Sequence, residues 1–260
     1  MRVSKIKKDA IRFAKQAGSF LLKEFEKVRD FSERKHTKEL KTFYDRASEN
    51  LIKRLIQEKY PEHSILAEES GYLKKDPNFL WIIDPLDGTT NFVTGNPFFS
   101  VSIALRINKK LEFGVIYAPL LKEIFIAERN KGAFLNGRRI KVSEVKDIRK
   151  SYLVTCEGGE KSRKRKAKLF SVLASKAMDI RKLGSGSLEC AWVACSRADA
   201  YITFKISPWD VAAGILLVEE AGGRVSDFKG NEWKLRKSDL IISNGKLHEK
   251  ILEIIKKEKI

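Results

Sequence analysis

Cysteine, histidine and glutamine are all scarce in this sequence. The three cysteines, Cys156, Cys190 and Cys195, form no CxxC pair, and the three histidines, His36, His63 and His248, stand far apart. Neither a zinc site nor a disulfide scaffold is supported, and the cysteines read as small core residues. Glutamine occurs only at Gln16 and Gln57 while Lys and Glu abound. That bias is found in hyperthermophile proteins, where surface ion pairs replace thermolabile amides. No apolar run approaches the length of a membrane span. The basic start (Arg2, Lys5, Lys7, Lys8) leads into an amphipathic pattern rather than a signal-peptide core, so a cytoplasmic protein with no membrane partner is expected. Internal repeats and low-complexity segments are lacking too.

What the chain does have is a core and an excess of positive charge. Its 260 residues are 43% hydrophobic, enough for one large domain or two smaller ones sharing a cleft. The net charge of +18 favours anionic partners: phosphorylated metabolites, nucleic acid or an acidic protein surface. A solvated, heat-adapted surface accounts for the same excess.

The stretch from Phe79 to Phe92 carries the most chemistry. Phe79-Leu80-Trp81-Ile82-Ile83 reads as a buried strand, and carboxylates appear as it ends, at Asp84 and Asp87. Pro85 is expected to end the ladder between them. Gly88 lets the backbone approach a ligand, and Thr89, Thr90 and Asn91 resemble a helix start whose free N–H groups point at an anion. Asp-Gly after an apolar run is also a common turn signal.

Around this stretch the periodicities lay out a long amphipathic helix over Ser4–Val28 and a charged loop over 29–43, either a closing segment or a plain connection. A second helix is expected from about Asp45 to Tyr60, with Ala47, Leu51, Leu55 and Ile56 on its buried face and Glu49 paired to Lys53; Asp45, taken alone, is an N-cap or first-turn acid. Ser64–Ala67 reads as a strand running into Glu68-Glu69. After the central stretch come runs at Phe98–Ile107, Leu111–Tyr117, Glu123–Ala127 and Gly132–Leu135, an antiparallel meander closed by an Asn136-Gly137 hairpin. Near residue 145 the pattern changes to alternating strands and helices. A boundary at 140–150 is expected, dividing an N-terminal α+β domain, 1–145, from a C-terminal α/β domain, 146–260, that completes the site. The basic helix with Lys161, Arg163, Lys164, Arg165, Lys166 and Lys168 is a solvated face or a nucleic-acid contact, though no aromatic residues are interleaved for base stacking. Pro208-Trp209-Asp210 opens a helix that is apolar nearly all round, and Asp210 in its first turn suits either a helix-end acid or a ligand.

Asp45, Glu68, the Asp84/Asp87 pair and Asp210 therefore place carboxylates at the ends of apolar elements, with no His or Cys among them. An oxygen-only set selects hard cations, Mg²⁺ above all, and points to metal-assisted phosphoryl transfer to water.

Trp81-Ile82-Ile83-Asp84-Pro85-Leu86-Asp87-Gly88-Thr89-Thr90-Asn91 and Trp209-Asp210-Val211-Ala212-Ala213-Gly214, the latter followed by Glu220-Ala221-Gly222-Gly223, resemble the two signature motifs of the inositol monophosphatase family. Ala67-Glu68-Glu69-Ser70 and Asp45-Arg46-Ala47-Ser48-Glu49 occur in the family's order and spacing, and the similarity covers essentially the whole chain. The resemblance implies the sugar-phosphatase fold shared with fructose-1,6-bisphosphatase, an αβαβα layered sandwich of α+β type, usually dimeric. It implies that Glu68, Asp84, the Leu86 carbonyl and Thr89 surround one Mg²⁺, that Asp84, Asp87 and Asp210 hold a second, and that a third, weaker ion sits near Glu68. Thr89, hydrogen-bonded to Asp45, would orient or deprotonate the attacking water. Glu68, Thr89 and Asp45 are thus the catalytic set, and the phosphate would lie on Asp87, Gly88, Thr89, Thr90 and Asp210, with Arg181, Gly184, Ser185 and Gly186 lining the sugar side. Thr203 stands where inositol phosphatases of this family carry a Glu that binds a substrate hydroxyl, and Lys205 adds a positive charge nearby. A phosphatase acting on inositol 1-phosphate or related sugar phosphates, inhibited by Li⁺, is expected. Fructose 1,6-bisphosphate is a competing substrate, and association with RNA-processing or transcription machinery, known for some bacterial members, is an additional expectation.

Overall fold

The computed structural model describes residues 3–28, 37–156 and 163–260. Helix α1 (Val3–Val28) buries Ile6, Ala10, Phe13, Ala14, Ala17, Leu21 and Phe25, the period-three-and-four stripe written in the sequence. Helix α2 (Thr37–Lys59) begins eight residues before Asp45, so Asp45 lies inside the helix and not at its cap. Lys38, Glu39, Leu40 and Lys41 are good helix formers with no Gly or Pro among them, and they extend the helix without needing an apolar stripe. The rest of the expected 29–43 loop, residues 29–36, lies outside the described residues, as do residues 157–162 before the basic helix.

The first sheet has eight strands, β1 (His63–Ala67), β2 (Gly71–Leu73), β3 (Asp76–Asp87), β4 (Ser100–Ile107), β5 (Lys110–Ala118), β6 (Glu123–Glu128), β7 (Gly132–Leu135) and β8 (Arg138–Ile140), in the order β2-β1-β3-β4-β5-β6-β7-β8. Every neighbour is antiparallel except β1 and β3, which run parallel with Ala67 opposite Ile83. Asn136 and Gly137 both have positive φ, 48° and 79°, the type I′ geometry that joins β7 to β8. The short helix α3 (Thr89–Val93) sits between β3 and β4. Contrary to the sequence expectation, Pro85 does not end the ladder. Asp84 pairs with Ser102 and Asp87 with Ser100, so three steps along β3 face two along β4. The extra residue is a bulge, which absorbs a proline because the bulged position needs no ladder N–H.

The second sheet is built from β9 (Tyr152–Cys156), β10 (Asp179–Arg181), β11 (Ala200–Ile206), β12 (Arg224–Asp227) and β13 (Ser238–Ser243), in the order β10-β9-β11-β13-β12. Its helices are α4 (Arg163–Ala174), α5 (Gly186–Ala194), α6 (Pro208–Glu220) and α7 (His248–Lys257).

Three apolar clusters make the layers. On one face of the first sheet, Trp81, Ile83, Ile103 and Val115 pack against α1 and α2. On its other face, the alternate residues Leu80, Ile82, Ala104 and Ile116 join α5, α6 and the inner face of the second sheet, with Val154, Tyr201 and Ile242. The outer face of the second sheet, with Leu153, Ile202 and Ile241, is covered by α4 and α7. The result is an αβαβα sandwich of α+β type. The change of sheet falls between Ile140 and Tyr152, while the middle cluster unites residues from both sheets. The central helices touch closely: a Cβ on Gly214 of α6 would lie 2.3 Å from Cys190 Cβ of α5, so only glycine fits.

Candidate active site

Three elements end at one point. Because β1 and β3 are parallel neighbours, the turn after β1 carries Glu68 beside Asp84 on β3, and the first turn of α6 brings Asp210 to meet them. A carboxylate oxygen from each of Glu68, Asp84 and Asp210 lies within 4.8 Å of the others. Asp84 is 1% exposed and accepts the Leu86 N–H at 3.1 Å. Asp210 Oδ2 accepts the Ser207 N–H at 3.0 Å, so the helix-end role expected of this residue is present while its carboxyl also belongs to the acidic cluster.

The electrostatics are those of a cation site. Burial, then repulsion from Glu68, Asp87, Asp210 and Asp45, holds the Asp84 acid well above its ordinary value. Asp210 is pushed up to about 7 by burial and by Asp87, with Lys237 pulling the other way. Glu68 reaches the open side of the cleft, yet the surrounding protein strips its hydration, and with Asp210, Asp45 and Asp87 this pushes it up to about 8. Like charges so gathered must bind protons or a cation. With oxygen donors only, the residues fit a hard divalent ion such as Mg²⁺.

Asp87 lies close enough to repel the cluster but is held differently. Ser185 Oγ at 2.6 Å and the Ser187 N–H at 2.7 Å donate to its Oδ2, the Ser187 hydroxyl donates there too, and the Gly186 N–H donates to Oδ1 at 3.0 Å. Burial raises its acid even so, against the opposing pull of these bonds. The predicted sugar-side residues Ser185 and Gly186 thus sit at the start of α5, clamped on Asp87. Gly184, at φ 85°, faces Asn91, whose Nδ2 donates to the Phe98 carbonyl at 2.7 Å and the Leu183 carbonyl at 2.8 Å.

Helix α2 supplies the opposite wall. Asp45, Ser48 and Glu49, spaced to share one helical face, are all buried. Thr89 Oγ1 lies 2.9 Å from Asp45 Oδ1 and 3.0 Å from the Leu86 carbonyl, with one proton for two acceptors. Ser48 Oγ donates to the Pro85 carbonyl at 2.8 Å, which fixes the bulge. Glu49 accepts the Glu69 and Ser70 N–H groups at 2.8 and 3.0 Å and so holds the turn that presents Glu68. The expected Glu49–Lys53 pair forms at 3.7 Å. The buried face of α2 is centred on this polar stripe with Ile52 and Ile56, whereas Leu51 and Leu55 are only partly buried at its flank. Gly88, at φ 89°, presses against Phe98, whose carbonyl oxygen would lie 2.9 Å from a Cβ there; Thr90 follows Thr89 in α3 and is exposed. Arg181 stands apart from these contacts: it is exposed on β10, and its guanidinium is engaged by Asp179 and the Ile180 carbonyl.

A profile of the Inositol monophosphatase family matches residues 2–259. The chain belongs to that family. Among curated relatives it is 40% identical over 250 residues to the Nus factor SuhB of Pasteurella multocida (strain Pm70), covering 95% of this chain and 94% of the relative. It is 37% identical over 247 residues, with the same coverage, to the fructose-1,6-bisphosphatase/inositol-1-monophosphatase of Thermotoga maritima. The solved inositol monophosphatase of Anabaena (Nostoc) sp. PCC 7120 superposes with a TM-score of 0.87 at 37% identity, covering 99% of this chain and 97% of that one. The αβαβα architecture is accordingly that of an inositol monophosphatase family member. It is a phosphatase family, and the acidic cluster at the ends of β1, β3 and α6 is able to hold a cation. The sequence offers Asn91 only as part of a helix start and Glu49 only as the partner of Lys53, and it offers Ser187 and Lys237 no site role. Asn91 lies inside the signature motif, while the other three act through residues remote in the chain.

Proposed function

We propose that this chain is a Mg²⁺-dependent phosphomonoesterase that hydrolyses inositol 1-phosphate or a related sugar phosphate. The observation that carries this is the meeting of Glu68, Asp84 and Asp210 within 4.8 Å, next to the Thr89–Asp45 pair. Glu68, Asp84, the Leu86 carbonyl, Asp87 and Asp210 would hold two ions, with a third, weaker one near Glu68. Asp87 can contribute through Oδ1, which among the described residues accepts the Gly186 N–H alone and keeps a lone pair, whereas Oδ2 is occupied by three donors. When bound, Mg²⁺ supplies positive charge against the phosphoryl oxygens and makes water acidic enough to attack at neutral pH.

The chain's own groups do the positioning. The Thr89 hydroxyl donates toward Asp45 or the Leu86 carbonyl and presents its lone pairs to the attacking water, whose proton it orients or accepts. Gly88 and Thr90 flank the phosphate, and Gly184, Ser185 and Gly186 face the sugar; Arg181 joins them only on release from Asp179. In the reaction the water oxygen bonds to phosphorus, the ester P–O bond breaks, and the leaving alcohol takes up a proton, giving the sugar and orthophosphate. The same reading carries inhibition by Li⁺, a homodimer and a heat-adapted surface.

A bisphosphate such as fructose 1,6-bisphosphate is the second reading. Thr203 Oγ1 is fully buried 3.4 Å from Cys156 Sγ, so no carboxylate at this position accepts a sugar hydroxyl. Lys237 acts on Asp210, and Lys205, two residues after Thr203 on the β11 bulge, is exposed, so positive charge is on hand for a second anionic group. A panel of phosphate esters at fixed Mg²⁺ tests both. Inositol 1-phosphate ranking above the bisphosphate supports the first reading, the reverse order supports the second, and no release of phosphate with any divalent ion ends both. An added contact with nucleic acid or transcription machinery is supported by the exposed Arg163, Lys164 and Lys168 of α4 and by the SuhB relatives. Reversing Lys164 and Lys168 to Glu should abolish RNA retention at moderate salt with phosphatase activity intact, and unaltered retention counts against that contact.

A further inference from the structure

Behind the clamp on Asp87 lies a second carboxyl. Glu189, in the first turn of α5, is 0% exposed, and its Oε1 accepts the N–H groups of Leu183 at 2.9 Å and Gly184 at 3.3 Å. The Leu183 peptide is therefore gripped from both sides, by Asn91 Nδ2 on its carbonyl at 2.8 Å and by Glu189 on its N–H. Directly after it come the three residues, Ser185 to Ser187, that donate to Asp87. The 183–187 segment thus hangs between two acids, one facing the cleft and one facing the core.

The second acid is costly to keep. Glu189 Oε2 is buried and completes no hydrogen bond among the described residues, although the Cys156 thiol interacts with the carboxyl. That thiol is itself bonded by Tyr201 Oη and Thr203 Oγ1. An orphaned buried acceptor costs about 1–3 kcal/mol, and an apolar side chain at this position would avoid it. What an apolar side chain could not do is accept the Leu183 and Gly184 amides. Asn91 Nδ2 donates to the Leu183 carbonyl and cannot accept these two N–H groups; among the described residues Glu189 Oε1 is the acceptor of both.

We propose that Glu189 is the positioning residue of the sugar-facing loop. By holding the Leu183 and Gly184 amides it fixes the Ser185 and Ser187 donors on Asp87 Oδ2 and the Gly186 N–H on Oδ1, whose remaining lone pair is thereby aimed at the cation set. It touches neither substrate nor ion. The inference rests on reading Asp87 as part of the Mg²⁺-binding set.

The test uses the full chain with Glu189→Met, which retains the bulk and removes the acceptor, and Glu189→Gln, which retains the acceptor. The readouts are amide hydrogen exchange across residues 183–187 and calorimetric titration with Mg²⁺ alone. The methionine variant should exchange there about tenfold faster and bind Mg²⁺ about tenfold more weakly, in the range seen when groups supporting metal ligands are lost. The glutamine variant should restore both. If the methionine variant does not fold, Glu189→Asp, whose carboxyl is withdrawn by one methylene, should show the same two losses. Wild-type exchange and Mg²⁺ binding in the methionine or aspartate variant, or a glutamine variant as impaired as methionine, overturns the proposal. A wild-type protein that binds Mg²⁺ but hydrolyses no ester removes the phosphatase reading and leaves Glu189's role standing.

Discussion

Asp84 and Asp87 leave the same strand three residues apart, both almost wholly buried at 1% and 7% exposure, and yet they occupy opposite kinds of corner. Around Asp87 the protein has brought its own donors, two hydroxyls and two amides at the start of α5. Around Asp84 it has brought more carboxylates, those of Glu68 and Asp210. Identical side chains are thus made useful in two ways. One takes donors from the fold on both oxygens and holds α5 against the site; the other faces like charges, which a proton or a cation relieves. Burial alone does not say how an acid is stabilised; the sign of its neighbours does.

The comparison can be broken by substituting each corner in turn. Asp84→Asn should lower phosphate release by about 10³-fold or more at saturating substrate. It should also raise the melting temperature of the metal-free protein, by about 2–4 °C for each kcal/mol of repulsion removed. Unchanged turnover would take Asp84 out of the reaction. Thr89→Ala should cost about 10²-fold or more in kcat while Thr89→Ser, which retains the hydroxyl, stays within about tenfold of wild type; equal losses would mean the methyl group matters and the proton does not. Asp87→Asn should have the opposite effect on stability from Asp84→Asn. Its amide would meet the Ser187 N–H donor to donor, destabilising the metal-free protein by about 1–3 kcal/mol in urea unfolding. A pair of stability changes with the same sign would erase the distinction drawn between the corners.

The smallest effect is the pH dependence. Glu68 and Asp210 titrate in the folded protein at about 8 and about 7, above their ordinary values of 4.5 and 3.8. Their contribution to stability is therefore fully present below about pH 4 and is lost as pH rises through 7 and 8. Melting temperatures of chelator-treated protein should fall over that window, and Mg²⁺ should reverse the fall. A metal-free protein that gains stability from pH 5 to 8 would contradict the gathering of unpaired carboxylates.

Much of this was legible from residue order alone, and what was not has a common cause. The α1 stripe and the acids after Ile83 could be read because each depends on near neighbours: a helical period in one case, an apolar run reaching its end in the other. The start of α2 at Thr37 is hidden because Leu40, Phe43 and Tyr44 are a short apolar stripe at the end of a charged run, and that hides the interior position of Asp45 as well. The bulge at Pro85 depends on the register with β4, and the clamp on Asp87 joins residues about a hundred positions apart, as Ser187 does. Neither has a local signature. Arg181 matches a family position on the sugar side, but Asp179, two residues earlier on the edge strand β10, engages its guanidinium, and a motif match carries no sign of such a local ion pair.

The Asp210 carboxyl both accepts the Ser207 amide, through Oδ2, and takes part in the carboxylate cluster. Any ion drawing electron density from one oxygen weakens the other as an acceptor, so the Ser207 N–H resonance becomes a built-in gauge of occupancy. Its chemical shift should follow Mg²⁺ titration in the absence of any ester, which lets ion loading be counted one backbone signal at a time and separately from turnover.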